Sequence, residues 1–308
     1  MISKEEFLEE VKRKIFPLID LKKEKKIKTL AVVVAFLAFL VSIPLTIAIY
    51  KSSNDKDLRD FLLLFLAPSI AYTAIWGGYV RRTKKKLRPL VLGILKAVHI
   101  PENQLFGPSI KQLRKLHFLP RFDSRLEDKI TQDSFGIENE EVPFYIQEVS
   151  FSEGGKHPAH FDGPLIRLSL AQQSNLKLMV IKKDSLLYKD KIALSTKKSM
   201  DTLLGSADWQ PLTLESTEFN DKYFAFTNDQ ILARSKLTPR FMEHISDVEK
   251  VYKAPTNFLF YESQLILIIK TNRNMFEFFE GGQQISFYEQ FYDEINVLHQ
   301  FEDVFKLK

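Results

Sequence analysis

Residues 29–50 read TLAVVVAFLAFLVSIPLTIAIY, 22 positions without a charged side chain. As a helix rising about 1.5 Å per residue, this run spans roughly 33 Å, enough to cross a hydrocarbon core of about 30 Å. Residues 61–80 read FLLLFLAPSIAYTAIWGGYV, a further 20 uncharged positions, and the ten-residue loop KSSNDKDLRD (51–60) joins the two. Two such runs at this spacing predict a transmembrane helical hairpin over residues 29–80. Pro44 and Pro68 fall inside the spans, where proline is tolerated because neighbouring groups re-satisfy the freed carbonyls. Tyr50, Trp76 and Tyr79 fall near span ends, the level at which aromatic rings anchor in the headgroup region. The first run comes after an acidic, helix-prone segment and is too long for the apolar stretch of a cleaved signal peptide.

The charges beside these runs set an orientation. Lys22, Lys23, Lys25, Lys26 and Lys28 precede the first span against the single acid Glu24. Arg81, Arg82, Lys84, Lys85, Lys86 and Arg88 come after the second span with no acid among them. In the loop, Lys51, Lys56 and Arg59 are offset by Asp55, Asp57 and Asp60. Basic flanks are retained on the cytoplasmic side, so a two-pass integral membrane protein with both termini in the cytosol is expected. The same flanks are candidate contacts for anionic headgroups, each contributing about 1 kcal/mol near a charged leaflet. Much of the net charge of +5 lies here and not in an aromatic-interleaved stripe, so lipid is the expected partner and nucleic acid is not.

Four regions are expected along the chain. Residues 1–28 form a cytosolic amphipathic segment, 29–80 the hairpin, 81–140 a helical, basic connector and 141–308 a soluble domain. Ser3 with Glu6 matches a capping box, and Phe7, Leu8, Val11 and Ile15 keep helical spacing until Pro17. Such a helix would lie on the membrane or dock on the soluble domain, docking being the preferred expectation. Helices are expected at 87–100 and 110–116, and a polar loop at 120–141. Strands are expected at 144–151, 165–170, 176–181, 212–214, 223–227, 230–236, 258–261 and 265–270. Asn228-Asp229 and Glu262-Ser263 are the expected hairpin turns, and Gly281-Gly282 ends the strand region. Thr238-Pro239 opens a helix with Phe241, Ile245 and Val248 on one face. A final helix near 285–305 carries Tyr288, Phe291, Ile295, Leu298 and Phe305. Strands succeeded by helices without a βαβ rhythm predict an α+β fold, a mainly antiparallel sheet with flanking helices behind the N-terminal hairpin.

Motifs of chemistry are missing. The chain has no cysteine, so disulfides and thiolate sites are excluded. Glycine-rich phosphate loops, a zinc-protease helix, an EF-hand loop and a nucleophile elbow are all absent from the sequence. His157 and His160, with Asp162 nearby, are the best metal-like group, but Pro158 and the preceding glycines make a surface loop the expected reading. His117 and His244 read as packing or surface residues. Glu277 with Glu280, and Asp293 with Glu294, read as solvated faces. No enzyme activity, cofactor or metal is therefore expected.

One block is distinctive as a string, LESTEFNDKYFAFTNDQILARSKLTPRFMEHI at 214–245. It resembles the bacterial membrane-protein family catalogued as domain of unknown function 3137. The likeness is carried by Leu214-Glu215-Ser216, Phe219, Phe224-Ala225-Phe226, Asp229-Gln230, Ala233-Arg234 and Leu237-Thr238-Pro239. Upstream, Phe161-Asp162-Gly163 and Asp133-Ser134-Phe135-Gly136 suit the same pattern. The resemblance implies a bacterial, inner-membrane protein and assigns no activity. Physically, Phe224 and Phe226 share a strand face and suit a core, Asp229 a turn, Thr238 a helix cap, and Glu215 a cross-strand pair with Arg234. The expected function is a membrane-anchored adaptor or scaffold domain with an unidentified protein partner. The alternatives are an anionic-lipid or small-ligand binder and, less favoured, an enzyme of unrecognised chemistry.

Overall fold

The computed structural model describes residues 2–52, 59–99, 113, 129–137, 143–152, 160–170, 175–183, 209–271 and 275–305. The chain divides into two compact units. A helical unit holds residues 2–95 together with 277–290, and a sheet unit holds 96–276 together with 291–308.

In the helical unit, Ser3 Oγ accepts the Glu6 amide at 3.2 Å and starts α1 (Lys4–Lys14). Phe7, Val11 and Ile15 are fully buried. Residues Gly78–Ile94 form α4, and α1 packs against it within the same unit. Pro17 ends α1 in a short 3₁₀ turn. Helix α2 (Leu21–Ser52) then runs unbroken for 32 residues, with Asp20 Oδ1 accepting the Lys23 amide at 2.9 Å. Near Pro44 the hydroxyls of Ser42 and Thr46 donate to the carbonyls of Phe39 and Ser42. Among the described residues α2 is the one helix long and apolar enough to cross a membrane, over residues 21–44.

Helix α3 (Arg59–Tyr72) lies against α2 and passes through a π turn, Thr73–Gly77, into α4. The Thr73 hydroxyl donates to the carbonyls of Ser69 and Ile70, a local competition with the helical ladder just ahead of the turn. The expected second span, 61–80, is thus helical throughout but divided among three elements, and α3 alone has 14 residues. Helix α4 starts earlier than expected and stops at Ile94, so Val98–His99 is strand β1 and not helix.

Among the described residues of the sheet unit, nine strands form one sheet in the order β1-β2-β3-β4-β9-β8-β5-β7-β6, and their pairings are antiparallel. They are β2 (Lys129–Ile137), β3 (Phe144–Ser152), β4 (His160–Ser169), β5 (Lys177–Lys182), β6 (Gln210–Leu212), β7 (Tyr223–Thr227), β8 (Thr256–Tyr261) and β9 (Gln264–Ile269). The α+β expectation therefore stands. Glu262-Ser263 closes the β8–β9 hairpin, with Glu262 at φ 55. The edges are β1 and β6, two and three residues long, too short to offer much unpaired backbone.

Several expectations are corrected. Residues 129–137, expected as polar loop, form β2. Residues 230–236, expected as a strand, form a helix because the Asp229 carboxylate caps the amides of Ile231 and Leu232. Asn228-Asp229 is therefore no hairpin turn. The short strand expected at 212–214 lies two residues earlier. The helix expected at 110–116 falls outside the described residues, apart from a buried Leu113.

Helices α5 (Thr217–Lys222), α6 (Gln230–Lys236), α7 (Pro239–Tyr252), α8 (Ile285–His299) and α9 (Phe301–Phe305) are the remaining helices among the described residues. One face of the sheet takes the phenylalanine-rich core. Phe241 of α7 meets Phe258 and Phe260 at 5.2 and 5.5 Å, and Phe135 meets Phe276 and Phe291 at 5.3 and 6.2 Å. Each buried ring contributes about 1.5–3 kcal/mol. Glu294, expected on a solvated face, is fully buried here and accepts the Phe276 amide at 2.6 Å. The other end of α7 is tied down by Glu249. Its carboxylate takes Lys182 Nζ at 2.6 Å and the Thr256 amide at 2.9 Å.

Strands β3 and β4 bring Gln147 and Arg167 together, both buried, with the guanidinium donating to Gln147 Oε1 at 3.1 Å. Burial presses the Arg167 pKa down to about 10. In β4, a Cβ at Gly163 would fall onto the carbonyl of Ile269, with the Thr271 amide 3.2 Å away. Glycine is required there because β9 leaves the sheet across that point.

Gly163→Ala should destabilise the protein by about 1–3 kcal/mol through overpacking, read as a lower midpoint in urea unfolding; an unchanged midpoint would contradict the close approach. His244 is 7% exposed with its ring edge-on to Phe301 at 4.2 Å, and burial lowers its pKa from the ordinary value near 6.5. The unfolded chain then binds the proton more readily, so stability present above about pH 6.5 is lost as pH falls. His244→Gln should show a shallower loss of thermal midpoint between about pH 7.5 and 5.5 than the parent chain.

Candidate membrane-proximal interface

Of the eleven basic flanking residues, nine are exposed: Lys22, Lys23, Lys25, Lys26 and Lys28 on α2, and Arg81, Arg82, Lys85 and Lys86 on α4. Lys84 and Arg88 are half-buried, and the helix repeat explains why. Leu87 and Val91 of α4, with Leu95 at its C-cap, form a buried stripe, and residues 84 and 88 fall on the same side. Lys84 Nζ pairs with Glu277 Oε2 at 2.7 Å, and its charge lies 5.9 Å from the Phe278 ring. Glu277 is thus a buried ion-pair partner and not the solvated carboxylate expected from the sequence.

Glu277 opens a segment, 277–290, that belongs to the helical unit and clasps it. Glu24, the lone acid among the α2 lysines, accepts the Gly282 amide at 2.9 Å. Gly281 and Gly282 adopt φ of 117° and 78°, which suit glycine, and a Cβ on Gly281 would come within 2.8 Å of the Trp76 ring. Gln283 Nε2 donates to the Phe16 carbonyl at 2.8 Å. Tyr288 packs between Phe16 and Phe278 at 5.9 and 6.3 Å, fully buried, and burial pushes its hydroxyl pKa far up. Trp76 sits 5.6 Å from Tyr79, with Lys28 Nζ 5.5 Å over its ring. The glycine pair expected merely to end the strand region is therefore the tip of the clasp.

Several of the signature residues hold local structure. Ser216 Oγ caps α5 through the Phe219 amide, Asp229 caps α6, and Thr238 Oγ1 caps α7 through the Phe241 amide, with Pro239 at the first helical position. Asn220 holds the Leu214 backbone at both its amide and carbonyl. Arg234, on a helix and not a strand, donates to Gln230 and to the Thr213 carbonyl, so the expected cross-strand pair with Glu215 does not form. Phe226 is buried, whereas Phe224 is half-buried beneath Lys183 Nζ at 4.9 Å. Gly163 gives clearance for Ile269. Phe161 pairs with Phe151 through the β3–β4 ladder.

Among the described residues no group of three or more His, Asp or Glu side chains could hold a metal ion. His117, His157 and Pro158 lie outside the described residues, while His160 and Asp162 are backbone positions of β4. The clasp is invisible to sequence reading because its partners are separated by 193 to 267 residues. A single acid within a lysine run, and a glycine pair far downstream, are its only signals.

Glu24→Ala removes a charge-assisted hydrogen bond of about 1.5–3 kcal/mol. Amide exchange of peptides covering 277–290 should rise while the β8–β9 hairpin stays protected. Unchanged exchange would mean that Glu24 does not hold the clasp.

Compared with known proteins, residues 159–307 match the family model described as Protein of unknown function (DUF3137). No curated protein matches the chain. Among solved structures, the crystal structure of the mycobacterial trehalose monomycolate transport factor A, TtfA, aligns at 10% identity with a TM-score of 0.33. That alignment covers 64% of this chain and 92% of the other, and at this TM-score it fixes neither fold nor function. Residues 159–307, from the start of β4 to the C-terminal helices, are thus similar to the family described as Protein of unknown function (DUF3137).

Proposed function

We propose that the chain is a two-pass integral membrane protein of a bacterial inner membrane, whose cytosolic α+β domain serves as an adaptor or scaffold for a protein partner. The observation that carries the anchor is the apolar surface of α2. Leu30, Val32, Val33, Phe36, Leu37, Leu40 and Val41 are all exposed on one unbroken helix, and the lysines directly before it are exposed as well. Exposed apolar area of this extent marks a membrane or protein contact. In this reading α3, the π turn and the start of α4 return the chain, which leaves both termini in the cytosol.

A role without catalysis is supported by how the signature residues are used. Ser216, Asp229 and Thr238 are helix caps, and Gly163 relieves a backbone crossing. Glu249 of α7 and Lys182 of β5 neutralise one another, and Glu249 also accepts the Thr256 amide of β8. These side chains are thereby engaged in holding the fold.

The test is affinity purification of the full-length chain from crosslinked native membranes, against the same membranes lacking it. A specific protein partner recovered in near-stoichiometric amount supports the adaptor reading. Recovery of nothing above background would overturn it.

A further inference from the structure

We infer that the nine exposed cations of α2 and α4 form one collar that docks on the headgroups of anionic phospholipids. This rests on reading α2 as a membrane-crossing helix. Three observations carry it.

The first is position. The exposed apolar surface of α2 begins at Leu30, two residues after Lys28, so the lysines stand where headgroups lie. The second is adjacency. Lys28 Nζ lies over Trp76, five residues ahead of Arg81, so the α2 and α4 cations reach the same level of one unit. The third is the handling of opposite charge. Glu24 would neutralise the α2 lysines if it faced outward, but its carboxylate is turned to the Gly282 amide. Asp20 is occupied by the Lys23 amide, and α4 contains no acid. Among the described residues none of the nine cations is in an ion pair. A flank that only sets topology requires basic residues to be present; engaging the acid within the lysine run at the Gly282 amide leaves those lysines without a carboxylate partner, which serves the field outside the protein. Anionic headgroups are the matching occupant, because each Lys or Arg near such a surface adds attraction that falls off within a Debye length.

The experiment uses purified full-length protein in neutral detergent, titrated with an equimolar mixture of phosphatidylglycerol and phosphatidylcholine. Bound lipid is counted by native mass spectrometry. The collar predicts phosphatidylglycerol bound over phosphatidylcholine by tenfold or more, falling steeply as salt is raised. Replacing Lys22, Lys23, Lys25 and Lys26 with glutamine, together with Arg81, Arg82, Lys85 and Lys86, should bring the ratio close to one. Lys85→Gln with Lys86→Gln alone should lower it severalfold, which keeps the test valid if the larger variant fails to fold. Replacing Lys56 and Arg59 with glutamine should leave the ratio unchanged.

Equal uptake of the two lipids by the parent chain would overturn the collar while leaving the anchor intact. Binding of neither lipid, by a chain that stays dispersed after detergent removal, would instead overturn the anchor and the collar with it. Loss of the phosphatidylglycerol preference on adding millimolar inorganic phosphate or an acidic peptide would also overturn it, by showing a general anion surface.

Discussion

Seven large apolar side chains of α2, from Leu30 to Val41, stand 45–68% exposed on one unbroken helix. Leaving them in water forfeits the burial free energy of each, about 1.5–3 kcal/mol for a side chain of this size. That cost is the constraint to which the rest of the helical unit answers. Near Pro44 in α2, Ser42 and Thr46 turn their hydroxyls to the helix's own carbonyls, those of Phe39 and Ser42. The basic residues gather where the apolar surface stops, and Glu24 among them is hydrogen-bonded to the Gly282 amide.

The clasp makes this base a folded object and not merely a pair of helices. Residues 277–290 are distant in sequence, yet they supply the acceptor for Lys84, the donor for Glu24 and the aromatic partner of Phe16. Tyr288 contributes burial without a hydrogen bond to its hydroxyl. Such a group costs free energy that its packing against Phe16 and Phe278 must offset. The chain passes between the two units at 95–96, 276–277 and 290–291, so the helical unit is assembled from both ends of the sequence.

Local signals in the sequence are sufficient where one residue type does one job. Ser3, Thr238-Pro239 and Glu262-Ser263 do as their chemistry dictates, and β3, β5, β7, β8 and β9 arise from aromatic and β-branched runs. Asp229 is ambiguous because a turn and a helix cap draw on the same carboxylate, and the residues after it decide between them. Ile231 is 84% exposed and Ala233 buried, a pattern that suits α6 and not a strand. Glu277 and Glu294 read as solvated because sequence gives no hint of Lys84 or the Phe276 amide. Gly163 stands out as part of a string, but its reason, the crossing of Ile269, exists only in three dimensions.

The most direct measurement is a pair of topology reporters on the full-length chain in bacterial cells, one inserted within residues 52–56 and one fused after Lys308. The account predicts that the first reports the extracytoplasmic side and the second the cytosol. Both reporters on the same side would contradict the hairpin, and with it the assignment of the basic collar and the α+β domain to the inner face of the membrane.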